Sequence, residues 1–373
     1  MAVMRLVVAF CMTIVPVLTP VFVQLKEGGE EAFFEDWSDT QDFTADYAVE
    51  LKKNPDKDFV ILNFTDTQLD DYETFGSEGK ITEETIKRAI ETAKPDLITV
   101  TGDNGLGSWA WLRLIRVIES YKIPWAPVMG NHDGAGCISE FWCAYQFANA
   151  EHCLFKYGPK NMGYGNYMIN ITENGKIIHT LFMIDTHSKE HYKIENESGE
   201  IVTETGYDHM WANQIAWYKW GVEGVKKLAG GTVESTMIMH IPIYEYKTAW
   251  ELCGERNSEM YKKMDGVGEN RENVCCPMVN NGVFDVILEE GSTKTVLAGH
   301  DHINDTMLTY SGIRLCYGLK CGPGCYWDEN VNGGTTITIN SNGNASVNHI
   351  YINSQDFDTK VTFNDLISDI KNK

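Results

Sequence analysis

Positive charge is in short supply in this chain. Its 373 residues carry 31 Lys and Arg against 53 Asp and Glu, a formal net charge of −22. A surface that acidic repels phosphate backbones and argues against general nucleic-acid binding. A bound metal ion can still draw a phosphoryl group to one spot, because the ion's own charge dominates its site. The ten cysteines form no C-x-x-C pair, which argues against a zinc ribbon. There is no internal repeat or low-complexity tract. What is plentiful is core material: 43% hydrophobic and 11% aromatic residues, enough to exclude global disorder.

The N-terminus has a character of its own. Met1 to Arg5 carries one positive charge, and Leu6 to Val23 is uncharged and mostly apolar, interrupted by Pro16 and Pro20. That run is long for a signal peptide's apolar region and just short of a spanning helix of ~20 residues. The prolines favour a signal peptide, and so a secreted or extracytoplasmic protein. Val21 and Val23 make a poor cleavage site, and the alternative is membrane association through an uncleaved N-terminal anchor. The clusters Cys137/Cys143/Cys153, Cys253/Cys275/Cys276 and Cys316/Cys321/Cys325 suit an oxidising compartment, and a disulfide is expected within one of the last two. Sequons at Asn170, Asn196, Asn304 and Asn344 permit glycosylation, whereas the one at Asn63 falls inside an expected strand.

Residues 24–57 read as an irregular acidic lead-in, 58–355 as one domain and 356–373 as a tail. Phe59–Phe64 is an apolar run ending in Thr65-Asp66, a buried strand that delivers an Asp at its tip. A helix is expected over Ile81–Ala93, a strand over Leu97–Thr101 leading into Gly102-Asp103, a helix over Trp109–Tyr121, and a strand over Pro124–Met129 leading into Gly130-Asn131-His132-Asp133. This β-α-β-α-β rhythm implies parallel strands, which present ligand sites at their carboxyl ends. Later strands are expected at Tyr167–Ile171, Lys176–Asp185, Ser235–His240 and Thr295–Ala298, with helices at Trp211–Leu228 and Asn281–Glu290. The strands Asp305–Tyr310, Ile313–Leu319, Thr335–Ile339 and Ala345–Ile352 close the domain. The fold class is α/β: two packed sheets, a β-sandwich flanked by helices.

Five stretches concentrate the chemistry: Asp66-Thr67-Gln68, Gly102-Asp103-Asn104, Gly130-Asn131-His132-Asp133, His240, and Gly299-His300-Asp301-His302. Carboxylate, amide oxygen and imidazole together suit Mn, Fe or Zn, whereas Ca or Mg sites are all oxygen. Any one of these residues alone is more simply a cap or turn, the reading given to His179, His187, His191, His209 and His349. Five clusters at successive strand ends are not explained that way.

In order and local context these stretches resemble the calcineurin-like metallophosphoesterase superfamily, whose pattern is D-x-H, G-D, G-N-H-[DE], a lone H and G-H-x-H. Ile241-Pro242, Gly206-Tyr207-Asp208, Asn281 to Asp285 and Leu315 to Gly318 extend the likeness to the small purple-acid-phosphatase-like branch, over about residues 59–320. The resemblance implies that Asp66, Gln68, Asp103 and His302 hold one divalent transition-metal ion. Asp103 would bridge to a second held by Asn131, His240 and His300, with His132 as proton donor beside the leaving group. The reaction implied is hydrolysis of a small phosphate ester, a phosphomonoester first, by a bridging hydroxide. The rivals are a phosphodiesterase acting on nucleotides or lipid headgroups, and an inactive metal-binding surface module. Two positions depart from the pattern. Gln68 stands where many members have His, and Leu106 stands where purple enzymes have the Tyr that colours their ferric iron, so a colourless protein is expected. The glycine before each motif is expected to turn the backbone so that the next side chain faces the metals.

Overall fold

The computed structural model describes residues 29–136, 138–196 and 198–361. The leader and most of the tail lie outside the described residues. Within them no helix is long and apolar enough to cross a membrane.

In chain order the strands are β1 (Val49–Lys52), β2 (Phe59–Phe64), β3 (Leu97–Thr101), β4 (Trp125–Val128), β5 (Tyr167–Glu173), β6 (Lys176–Met183), β7 (Lys189–Glu195), β8 (Ile201–Tyr207), β9 (Glu234–Ile238), β10 (Thr293–Ala298), β11 (Met307–Tyr310), β12 (Ile313–Tyr317), β13 (Gly333–Ile339) and β14 (Ala345–Tyr351). The helices are α1 (Ser77–Ala93), α2 (Ser108–Glu119), α3 (Glu140–Ala148), α4 (Ala212–Ala229), α5 (Glu245–Cys253), α6 (Glu259–Lys263) and α7 (Val283–Glu290).

Two sheets form the centre. One has the order β14-β13-β2-β3-β4 and the other β1-β5-β6-β9-β10-β12-β11, while β7 and β8 make a separate hairpin. β2, β3 and β4 run parallel, with Ile61 opposite Leu97 and Ile98 opposite Trp125. β6, β9, β10 and β12 are parallel too. Central parallel strands are covered on both faces, which is why β2 and β3 are almost wholly buried and mainly apolar. Phe59, Ile61, Ile337 and Ile339 of the first sheet join Ile169, Ile171, Leu181, Ile238 and Leu297 of the second in one buried cluster that also takes in α1, α2 and α3. The alternate residues Met168, Phe182, Met237 and Val296 belong to a second cluster with Trp217, Val222, Phe284 and Ile287 from α4 and α7. Period-2 alternation along one strand thus feeds two cores.

Residues 24–57 were expected to be irregular surface, and the described part of them is not. Val49–Lys52 pairs in parallel with β5. Tyr47 accepts a 2.6 Å hydrogen bond from Trp217 Nε1, and Phe43 and Trp37 pack edge-on against Trp220. Aromatic anchors spaced along an acidic segment bind it to α4 and the sheet edge, a contact that local periodicity cannot show. Trp217 is fully buried at this junction. A Trp217→Ala change is expected to cost about 3–5 kcal/mol by cavity formation and loss of the Tyr47 bond. The shift of the urea unfolding midpoint measures it, and an unchanged midpoint would refute the anchoring role.

The expected disulfide does not form. Cys143, Cys153, Cys253, Cys275, Cys276, Cys316, Cys321 and Cys325 are all free. Cys253, Cys316 and Cys321 are buried as small apolar core residues, so clustering along the chain reflects packing rather than pairing. Cys11 and Cys137 lie outside the described residues. Two sequons also fall away: Asn170 bonds Thr180 inside β5, and Asn304 is buried at 1% exposure, so neither can carry a glycan. Asn63 is fully buried, as its strand position implied.

Candidate metal centre

Every candidate side chain stands on a loop leaving the carboxyl end of a parallel strand. Asp66 and Gln68 follow β2, Asp103 follows β3, Asn131 and His132 follow β4, His240 follows β9, and His300 and His302 follow β10. The two sheets bring these ends to one edge of the sandwich. Asp66, Gln68, Asp103, Asn131, His240, His300 and His302 are all at most 9% exposed.

The loops turn by unusual backbone geometry. Asp66 (φ 54°), Gln68 (φ 38°), Asp103 (φ 50°) and His300 (φ 77°) are all left-handed. Each such conformation costs of order 1–3 kcal/mol in a non-glycine residue and persists only where the surroundings enforce it. The glycines work differently from expectation. Gly102 does turn the chain, at φ 81°, but Gly130 and Gly299 do not have positive φ. They are needed for close approach: a Cβ on Gly130 would collide with the Asp103 backbone nitrogen, and one on Gly299 with the Thr65 hydroxyl.

The side chains meet as two overlapping groups. Asp103, His240 and His300 present ligand atoms within 4.8 Å of one another, and so do Asp66, Asp103 and His302. Asp103 belongs to both. Its Oδ1 is 3.4 Å from His240 Nε2, and its Oδ2 accepts a hydrogen bond from the Gln68 amide. Asn131 Oδ1 is 2.9 Å and His300 Nδ1 3.2 Å from His240 Nε2. Asp66 Oδ1 is 3.5 Å from His302 Nε2. His240 Nδ1 lies 2.9 Å from the Thr101 carbonyl, and His302 Nδ1 2.9 Å from that of Tyr326. A carbonyl at Nδ1 fixes the proton there and leaves Nε2 with its lone pair, the usual support of a metal-binding imidazole.

Whether a cation belongs here is tested by what the site leaves unsatisfied. Asp66 Oδ1, Gln68 Oε1 and His300 Nε2 are buried with no hydrogen-bond partner. Buried acceptors are normally paired. The electrostatics agree. Burial alone would lower the pKa of His240, but the charges of Asp103 and Asp66 push it up to about 10. Burial, then the neighbouring His240 charge, push His300 down to about 3. Asp66 is held well below the usual carboxylate range: burial opposes ionisation, but His302, His240 and Lys320 outweigh it. The cluster carries negative charge that draws in positive charge, and its donor set fits transition-metal ions.

His132 is exposed at the mouth, and its backbone nitrogen donates 2.8 Å to Asp103 Oδ1. Asp133 and Asp301 hold the architecture. Asp133 accepts from the backbone nitrogens of Asn104 (2.7 Å) and Gly130 (2.8 Å), and Asp301 accepts from Tyr317 Oη at 2.5 Å. The histidines read as ordinary are engaged elsewhere: His179 between Gly343 and Thr236, His187 on Gln214, His191 on Thr205, His209 beside Asp208, and His349 between Thr335 and Asp305. Three neighbours were assigned no place at the site by the sequence. Lys320 is buried and donates to the Asp66 backbone carbonyl, the Tyr207 ring stands edge-on to His300 at 4.4 Å, and Cys275 reaches His300 and Asp301. A lysine inside the apolar stretch Leu319 to Cys321 was the available signal for the first. The aromatic segment Tyr244–Trp250 starts helix α5, where Tyr246 is buried and bonds the Val296 carbonyl. Tyr326, half exposed, stacks on His302.

The family model described as calcineurin-like phosphoesterase matches residues 59–304, well over half the chain and every motif in the cluster. The chain belongs to the calcineurin-like phosphoesterase family. Family membership implies a two-metal centre. Among curated relatives, the chain is 26% identical over 266 residues to probable inactive purple acid phosphatase 28 of Arabidopsis thaliana, covering 66% of this chain and 63% of that one. It is 29% identical over 277 residues to phosphatase DCR2 of Saccharomyces cerevisiae, covering 69% and 45%. It thus spans less than two thirds of the length of either. Among solved structures, a dimetal phosphatase from Danio rerio aligns at 10% identity and a TM-score of 0.46, over 76% of this chain and 94% of that one. A purple acid phosphatase from yellow lupin (Lupinus luteus) seeds aligns at 12% and 0.42, over 83% and 55%.

Proposed function

We propose that the chain is a two-metal phosphoesterase acting first on phosphomonoesters. The observation that carries this reading is the buried cluster in which Asp66 Oδ1 and Gln68 Oε1 have no hydrogen-bond partner and Asp103 belongs to both ligand groups. Asp66, Gln68, Asp103 and His302 would hold one ion of Mn, Fe or Zn. Asn131, His240 and His300 would hold the second, with Asp103 shared. When bound, two such ions make water nucleophilic near neutral pH and neutralise charge on phosphoryl oxygens. The chain does the rest. The Thr101 and Tyr326 carbonyls orient the imidazoles, Lys320 braces the Asp66 loop, and His132 gives a proton to the departing alkoxide. An extracytoplasmic location rests on the leader alone.

A second reading has its own support. Gln68 turns its amide onto Asp103, and several relatives carry the name probable inactive purple acid phosphatase. One experiment separates the two. Purified protein should contain close to two transition-metal ions per chain and turn over an aryl phosphate monoester faster than a diester, with activity lost on chelation. Full activity without metal would overturn the proposal. Two ions without turnover of either ester would favour the inactive module, and a faster diester the phosphodiesterase.

Gln68 makes a finer prediction. A neutral amide oxygen is a weaker ligand than imidazole for Zn or Fe. The Asp66 site should therefore bind its metal less tightly than the His240 site. Gln68→His should keep the fold and narrow the gap between two affinities seen when metal is titrated into apo-protein. Equal affinities in the parent, untouched by the change, would mean that Gln68 is no ligand.

A further inference from the structure

Cys275 lies outside every motif used above, yet it stands at the centre's edge. Its thiol, a carboxylate oxygen of Asp301 and a ring nitrogen of His300 lie within 4.8 Å of one another. Cys275 is half-buried, and its backbone nitrogen is held 3.2 Å from Asp301 Oδ1. The thiol donates to the Asn273 carbonyl at 3.5 Å. The decisive observation is at His300. Its Nδ1 faces His240 Nε2 at 3.2 Å, whereas its Nε2 is buried and without a partner in a residue only 8% exposed.

We propose that Cys275, Asp301 and His300 form a separate, thiophilic cation site on the flank of the two-metal cluster, suited to Zn, Cd or Co. Sulfur, imidazole and carboxylate are the donor set that such ions select. Ligand atoms around a tetrahedral ion of this kind stand about 3.5 Å apart, so the group closes by small side-chain movements. Binding replaces the S–H bond with a metal–sulfur bond and releases the thiol proton to solvent. Cys276, next in the chain, does not belong to the group. His300 would face the two-metal centre through Nδ1 and this site through Nε2, so a third ion can bind beside the other two.

The inference shares His300 with the proposed centre, so its test is read without hydrolysis. Full-length apo-protein with reduced thiols is titrated with Co²⁺ alone, following the thiolate-to-cobalt charge-transfer absorption. The expected result is that this band develops after the first two equivalents, together with a third bound ion. It should persist in Cys276→Ser and vanish, with the third ion, in both Cys275→Ser and Cys275→Ala. No thiolate band in the parent, or a band that survives loss of Cys275, overturns the proposal. Failure of the phosphoesterase reading looks different: metal binds, and the thiolate band develops, in a protein that hydrolyses no ester.

Discussion

Asp103→Asn is expected to lower hydrolysis by roughly 10³-fold or more, at least the loss seen when a group that organises transition-state charge is removed. The reason lies in the contacts of one carboxylate. Oδ1 faces His240 and the His132 backbone nitrogen, and Oδ2 meets Gln68, so both oxygens are committed to the cluster. An amide keeps one acceptor oxygen, loses the negative charge and places a donor where a cation should sit. Burial would raise the pKa of this carboxyl, yet the His240 charge keeps it lowered, so the group is ionised and its charge is what the variant removes. The fold should survive, because the Gln68 nitrogen to Asp103 carbonyl bond of 3.0 Å is main-chain. Metal analysis should show fewer than two ions beside an unchanged far-UV spectrum. A variant with full metal content and the parent's rate would remove Asp103 from the bridging position.

That the cluster was legible at all follows from where its residues sit. Parallel strands buried on both faces read as short apolar runs, and β2 and β3 have the bounds expected from their runs. A polar cluster after such a run stands at a carboxyl end, so locating the strand locates the ligand. What escaped has physical causes. β1 is four residues, alternately half-buried and exposed, in an acidic segment held by aromatic contacts to α4 that are distant in sequence. The β7–β8 hairpin is mostly polar and buries only Tyr192, so its apolar alternation is weak. The cysteine clusters misled because neighbours along the chain were treated as neighbours in space.

The left-handed backbone at Asp66, Gln68, Asp103 and His300 was invisible in the sequence for a different reason. Asp and His tolerate this region better than most residues, and only Gln68 is out of character there. Four such positions in one cluster concentrate backbone strain at the loops of the candidate centre. The surrounding bonds enforce it: Gly102 carbonyl to the Asp66 nitrogen at 3.2 Å, and Asp66 Oδ2 to the His300 nitrogen at 2.9 Å. The loops from β2, β3 and β10 therefore hold one another in place, and the cluster is positioned before any ion arrives.

His132→Ala should leave metal content nearly unchanged while slowing turnover by about 10²–10⁴-fold for alkyl phosphates, the range general acid catalysis supplies. The side chain is exposed at the mouth, and its residue is tied to the cluster through the main chain, by the 2.8 Å bond from its nitrogen to Asp103. Removing the imidazole keeps that bond, so the variant tests the ring alone. An alkoxide leaves poorly without a proton, whereas a nitrophenolate is already stable, so the loss should shrink greatly with nitrophenyl phosphate. Plotting the rate against leaving-group pKa should give a steeper dependence in the variant than in the parent. Equal slowing of both substrates would assign His132 to phosphoryl binding. Loss of an ion would make it a ligand. Only a loss that grows with leaving-group basicity, in a protein that keeps its metals, assigns it the proton.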